Sequence, residues 1–277
     1  MGFRKNLYLA YKNRFFPHIR GLRGSHRILL FLKRLAAKGI KEIEEKPESI
    51  FDRTDWQALI ILDACRHDIY EEVIGEEVET RISLGSTTTE YIERTFSEGD
   101  FSDIVYISAN PFFSDRFLEK LVDRSDLFHT KFDVFQDGWN KEEGTVLPKT
   151  VADRAETAQK LFPEKKLIIH FIQPHYPFIG FNDEGFTDSK GWLSEDQSTS
   201  IWDRAENGDY TQEEVRNAYS QNLEVVLPHA EQLAEKIEGK TVITSDHGNL
   251  IGENGLYGHP DNMSFAPLRK VPWDVRE

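Results

Sequence analysis

Three runs of consecutive apolar residues stand out along the chain: Ala58-Leu-Ile-Ile-Leu62, Leu167-Ile-Ile-His-Phe-Ile172 and the β-branched Thr241-Val-Ile-Thr244. Unbroken apolarity over so few residues is the pattern of a strand covered on both faces, as in the middle of a parallel sheet. Ile82-Ser-Leu84, Asp103-Ile-Val-Tyr-Ile-Ser108 and the stretch from Lys270 onward read as further strands. Between them, helical spacing predicts helices after the Ser86 to Thr89 cluster, over Thr150 to Leu161 and over Thr211 to Ile237, the last with Val225, Val226, Leu227, Leu233 and Ile237 on its apolar face. Residues 115–150 alternate short apolar pieces with charge. Residues 181–210 are polar and rich in Gly, Ser and Asp around Trp192 and Trp202, a composition that predicts a lid or specificity insertion rather than core. Strands alternating with helices predict an α/β fold with a mostly parallel central sheet, organised as one catalytic domain over residues 51–277.

Residues 1–50 follow a different rule. Residues 1–40 carry Arg4, Lys5, Lys12, Arg14, Arg20, Arg23, Arg27, Lys33, Arg34 and Lys38, and no acidic residue precedes Glu42. The whole chain has a net charge of -14, so about -24 remains once these ten positive charges are set aside. Ile28, Leu29, Leu32 and Leu35 fall at helical spacing, which predicts a basic N-terminal helical arm, joined to the domain by a charged connector around Pro47. Such an arm suits either contact with an anionic membrane surface or packing on the acidic body. Gly2 followed by Asn6 does not fit a myristoylation signal.

The acidic balance, with a pI near 5.2, excludes nucleic acid as a partner, which needs clustered cations. A single cysteine, Cys65, excludes an internal disulfide. No apolar run approaches the roughly 20 residues of a membrane-spanning helix, and the start lacks the apolar core of a signal peptide. The expected address is therefore cytoplasmic, with the basic arm able to hold the protein at the inner membrane face.

Candidate chemistry gathers where strands end, because open α/β folds bind ligands at the carboxyl edge of the sheet. Asp63 follows the first apolar run, with Arg66 placed to meet an anion in the next turn. The hydroxyls of Ser86, Thr87 and Thr88 open a helix, where they can cap it with Glu90 or act as a nucleophile at its positive end. Asn110 follows the Asp103 strand as a site-edge candidate. His175, between Pro174 and Pro177, lies beyond the Leu167 run, whereas His170 inside it reads as a core histidine. Asp246-His247-Gly248 ends the last buried run, and His259 follows a loop containing Gly252, Gly255 and Gly258. Alone, the Asp-His pair equally describes a capped strand end with surface histidines. Together, these carboxylates and imidazoles suit a divalent cation beside a hydroxyl.

In chain order from about residue 56 to 273, these motifs resemble the alkaline phosphatase and sulfatase superfamily. The stretch Ser245-Asp-His-Gly-Asn-Leu-Ile-Gly-Glu-Asn-Gly-Leu-Tyr-Gly-His259 looks like the terminal metal motif of the phosphoethanolamine transferase and lipoteichoic acid synthase branches, and His175-Tyr-Pro-Phe is similar to their histidine loop. The resemblance implies an alkaline phosphatase-like sheet flanked by helices on both faces. It implies metal ligation by Asp63, Thr88, Asp246 and His247, with His259 on the transferred group and His175 on the substrate or a second metal. It also implies Thr88 as nucleophile, ahead of Ser86 and Thr87. Asp63 departs from the lipid-transferase branches, which usually place Glu there. The Cys-x-Pro-Ser-Arg motif of sulfatases is absent, and so is the transmembrane domain of the lipid-modifying branches. The ligand set favours zinc or manganese over magnesium or calcium. The expected function is a metal-dependent hydrolase of phosphate or sulfate esters acting through a threonine. The alternatives are a transferase moving a phospho- or sulfo-substituent to a surface glycan or lipid, and a non-catalytic scaffold.

Overall fold

The computed structural model describes residues 43, 45–53, 55–124, 126–181 and 201–277. The predicted basic arm, and the part of the predicted insertion that holds Trp192, lie outside them. In chain order the elements are β1 (Ala58–Leu62), α1 (His67–Ile74), β2 (Glu79–Ile82), α2 (Thr88–Phe96), β3 (Phe101–Ser108), α3 (Asp115–Val122), β4 (Phe128–Asp133), α4 (Val134–Asp137), the short pair β5 (Trp139–Asn140) and β6 (Thr145–Val146), α5 (Pro148–Leu161), β7 (Lys166–Phe171), α6 (Ile201–Asn207), α7 (Gln212–Lys236), β8 (Thr241–Thr244), β9 (Leu250–Glu253), β10 (Leu256–Gly258), α8 (Ala266–Arg269) and β11 (Lys270–Arg276).

Seven strands form the main sheet in the order β2-β11-β8-β1-β7-β3-β4. The apolar run of β1 takes the centre, with Ile60 opposite Ile169 of β7 on one side and Ile243 of β8 on the other. All strands run parallel except β11, which is antiparallel to both β8 and β2.

Alternate residues of each buried strand feed two separate cores, as the two-residue period of a strand requires. Ala58, Ile60 and Leu62 join Val105, Ile107, Leu167 and Ile169 beneath α1, α5 and α7. Leu59 and Ile61 face the other way and join Tyr106, Ile168, Tyr91, Phe96 and Phe113 beneath α2 and α3. Helices therefore cover both faces of the sheet. A third, smaller cluster of Leu250, Leu256, Met263, Phe265 and Leu268 supports the β9-β10 hairpin.

Three segments differ from expectation. The connector packs on the body: Ile50 is buried and the Glu48 N–H donates to the Ile82 carbonyl at 2.9 Å. Within the predicted insertion, Trp202 is buried core, its ring edge-on to Tyr176 and Phe178. In residues 115–150, Phe-His-Thr-Lys-Phe-Asp forms the edge strand β4, whose half-buried polar residues give it no apolar run.

Because β1, β2, β3, β7 and β8 share one direction, their carboxyl ends meet at one edge of the sheet. That edge receives Asp63, the Ser86 to Thr88 turn, Asn110, His175 and Asp246-His247.

Candidate metal centre

The two carboxylates are placed by sharp turns at neighbouring strand ends. After Asp63 the backbone turns through Ala64 at φ 59°, a left-handed conformation that costs a non-glycine residue on the order of 1 kcal/mol. A hydrogen bond offsets that cost: the Ala64 N–H donates to Asp246 Oδ1 at 3.0 Å. The same oxygen accepts the His247 N–H at 2.9 Å. At the exit of β8, a Cβ on Gly248 would lie 2.1 Å from the Pro267 carbonyl oxygen, so only glycine lets the chain turn there.

The hydroxyl cluster divides its labour. Thr87 caps α2, its side chain accepting the Glu90 N–H at 3.3 Å. The Ser86 N–H donates to Glu90 Oε2 at 3.0 Å, and its hydroxyl lies 2.9 Å from that oxygen and 3.0 Å from the Pro260 carbonyl. Thr88, the first residue of α2, points instead into the sheet edge. Its hydroxyl donates to Asp246 Oδ2 at 2.8 Å and lies 3.2 Å from His247 Nε2.

His247 Nδ1 lies 2.8 Å from the Gly248 carbonyl, a contact that requires a proton on that nitrogen. Its Nε2 faces Thr88, Asp246 Oδ2 at 3.5 Å and Asp63 Oδ1 at 3.9 Å. Asp63 Oδ2 accepts from Asn110 Nδ2 at 2.5 Å and lies 3.8 Å from His170 Nε2. The Tyr106 hydroxyl sits 2.9 Å from His170 Nδ1 on the other side of the ring. Among the described residues, Asp63 Oδ1 and His170 Nε2 are buried without a hydrogen-bond partner.

Burial, and after it the Asp246 carboxylate, pushes the Asp63 carboxyl well above the usual range, against the pull of Asn110. Burial opposes ionisation of Asp246 too, yet the imidazoles of His247 and His170, the Ala64 amide and the Thr88 hydroxyl hold its carboxyl below the usual range. Burial pushes His170 down to about 4. Without a cation, then, ionisation is favoured at Asp246 and opposed at Asp63. Ligating atoms of Asp63, His170 and Asp246 lie within 4.8 Å of one another. Two buried carboxylates, an unpartnered carboxylate oxygen and imidazole lone pairs make a donor set that a divalent metal ion fits.

Beyond this cluster His175 Nε2 and His259 Nε2 meet at 2.9 Å, and the His259 and His247 ring centroids lie 4.6 Å apart. His259 arrives on the β9-β10 hairpin. The His175 loop is held by Asn222 of α7, whose buried side-chain amide donates to the carbonyls of Pro174 at 3.1 Å and His175 at 3.0 Å. Asp63, Thr88, Asp246, His247, His175 and His259 are thus brought together. Arg66, expected to meet a substrate anion, is turned elsewhere: its guanidinium binds both oxygens of Asp68 at 2.9 and 2.6 Å, Glu253 at 2.6 Å and the Asn249 carbonyl at 3.2 Å. Its charge is matched by two carboxylates, and it ties β9 to the start of α1.

Comparison with solved structures matches the integral membrane protein lipooligosaccharide phosphoethanolamine transferase A from Neisseria meningitidis, at 14% identity and a TM-score of 0.53 over 98% of this chain and 58% of that one. The soluble domain of the same transferase matches at 15% identity and a TM-score of 0.52, over 83% of this chain and 79% of that one. The chain therefore shares the fold of this transferase's soluble domain. It spans little more than half the length of the membrane protein. The C-terminal periplasmic domain of a phosphoethanolamine transferase from Campylobacter jejuni also matches, at 14% identity and a TM-score of 0.46 over 79% of this chain and 78% of that one. No family model and no curated protein matches the chain.

The first two neighbours overturn the cytoplasmic expectation, since they are an integral membrane protein and its soluble domain. The lack of a long apolar run, on which that expectation stood, does not separate a periplasmic domain from a cytoplasmic one. Among the described residues no helix is long and apolar enough to cross a membrane.

Proposed function

We propose that this protein is a metal-dependent transferase that moves a phospho-substituent through a covalent threonine intermediate, from a phosphate ester to a hydroxyl of a lipid or glycan. The observation that carries the reading is the Thr88 hydroxyl at the start of α2, 2.8 Å from Asp246 Oδ2 and 3.2 Å from His247 Nε2. A helix N-terminus favours the negative charge of an attacking oxygen and of the phosphoryl group it meets. The fold shared with a lipooligosaccharide phosphoethanolamine transferase supports transfer over hydrolysis and supports a lipid- or glycan-linked ester as substrate.

Asp63, Thr88, Asp246 and His247 would hold the divalent ion, which would supply Lewis acidity that lowers the hydroxyl's pKa and neutralises charge on a phosphoryl oxygen. Zinc or manganese suits the mixed carboxylate, imidazole and hydroxyl donors best; magnesium and calcium prefer oxygen alone. Thr88 Oγ, its proton given up to solvent in the ion-loaded site, attacks phosphorus, and the bond to the leaving alkoxide breaks. The proton held between His175 Nε2 and His259 Nε2 passes to that alkoxide. An acceptor hydroxyl then returns its proton to the pair as it displaces the threonine, which regenerates Thr88. Water in place of the acceptor gives the hydrolase reaction.

The test is mass spectrometry of the protein after incubation with a phosphodiester and Zn2+ or Mn2+. A phospho-adduct on Thr88 is expected, and Thr88→Ala is expected to lose at least about 1,000-fold in turnover while still folding. A fully active Thr88→Ala protein refutes the assignment. Product ratios with and without an added alcohol separate transfer from hydrolysis.

A further inference from the structure

We propose that Asn110 is a positioning residue: its side-chain amide fixes the rotation of the Asp63 carboxylate, withholding one oxygen and presenting the other to the metal ion. The inference rests on the functional reading above.

Asn110 is completely buried just past the end of β3. Within the sheet β7 separates β3 from β1, with Ser108 opposite His170 and Leu62 opposite Phe171. Two residues past Ser108, Asn110 reaches across the end of β7 to Asp63. Its own rotation is fixed by backbone contacts. The Asn110 N–H donates to Ser108 Oγ at 3.0 Å, and the Ser108 hydroxyl donates to the Asn110 carbonyl at 3.0 Å. Its Oδ1 accepts the Phe112 N–H at 2.9 Å, capping the single turn Pro111–Phe113.

An amide oxygen accepts and an amide NH2 donates, so the Phe112 contact decides which end of the side chain faces Asp63. It is Nδ2, 2.5 Å from Asp63 Oδ2. Oδ2 is thereby occupied, and Oδ1 is left without a partner on the side of His247 Nε2, 3.9 Å away. The carboxylate is pre-set to offer one oxygen to the point where Thr88, Asp246 and His247 converge.

Asn110→Asp separates this role from the cap. Aspartate has nearly the same shape and keeps an acceptor for the Phe112 N–H, but it has no N–H for Asp63. Zn2+ affinity, measured by competition with a chromogenic chelator at neutral pH, is expected to fall about 10- to 100-fold, the usual loss when an outer-shell partner is removed. The visible spectrum of the Co2+-substituted protein is expected to change with it, a signature that a lost cap alone does not move. Asn110→Ser, able to cap Phe112 yet too short to reach Asp63, repeats the test without adding a carboxylate and is expected to lose affinity over the same range. Variants that hold Zn2+ as tightly as the wild type overturn the assignment and leave Asn110 a cap. A wild-type protein that takes up neither Zn2+ nor Mn2+ overturns the functional reading as well.

Discussion

His170 shows how much a single side chain adds to a strand. It sits among Ile168, Ile169 and Phe171 and is wholly buried, as a core histidine should be, yet its Nε2 lies 3.8 Å from Asp63 Oδ2. The sequence signal was present: one titratable group in an otherwise apolar strand whose exit leads to His175. It was read only as core because spacing does not reveal which strand lies opposite. Burial holds His170 near 4, against about 6.5 in an unfolded chain. Between those values the unfolded state binds the extra proton, so this residue lowers stability as pH falls from about 6.5 to about 4. Its raised pKa makes Asp63 act in the opposite sense, taking up a proton on the folded side first. Replacing His170 alone isolates its share. In metal-free protein, His170→Gln is expected to lose about 2 kcal/mol less than the wild type between pH 7 and pH 5, read by urea denaturation at the two pH values. Equal losses in the two proteins count against the assigned burial of a neutral imidazole.

At the level of elements, legibility followed burial. The runs of β1, β7 and β8 were plain in the sequence because both faces of those strands are covered, and their exits therefore named Asp63, His175 and Asp246-His247 correctly as neighbours. The edge strand β4, with His129 and Lys131 among its phenylalanines, offered no such run. Nor did any local pattern disclose that β11 runs against its neighbours, since strand direction depends on partners distant in sequence. Asn222 escaped notice for a related reason: a polar residue on a 25-residue helix reads as solvated until the loop it supports is known. Its amide donates to the carbonyls on either side of the His175 peptide, and removal leaves those buried acceptors unpaired. Asn222→Ala is expected to cost about 1–3 kcal/mol of stability in thermal or chemical denaturation. It is also expected to slow turnover beyond what that loss explains, because His175 then drifts from His259. Unchanged turnover in a stably folded variant counts against the positioning of His175 by α7.

For the whole molecule, the buried acidic centre makes folding and ion binding one equilibrium. Two carboxylates, Asp63 and Asp246, are enclosed close together, with burial opposing the charge on both, an arrangement that a cation relieves. At a free Zn2+ concentration 100-fold above the dissociation constant, binding adds about 2.7 kcal/mol to stability. Chelation is therefore expected to lower the melting temperature of the wild type, measured by differential scanning fluorimetry, and to leave Asp246→Ala unmoved. A wild-type melt indifferent to both Zn2+ and Mn2+ removes the metal centre from the account. Because burial and the Asp246 carboxylate oppose ionisation of Asp63, which ligation favours, affinity is expected to rise with pH.

The strand that runs the wrong way has a consequence in time. β2, which leads into the Ser86 to Thr88 turn, pairs in the sheet with β11 alone, while the strands that deliver Asp63, His175 and Asp246 pair among themselves. A ribosome that has released everything before Lys270 has already supplied every proposed ligand, but the sheet does not yet join β2 to the strands that carry the others. The late strand thus works like the last stone of an arch, closing the sheet between the threonine's strand and the rest.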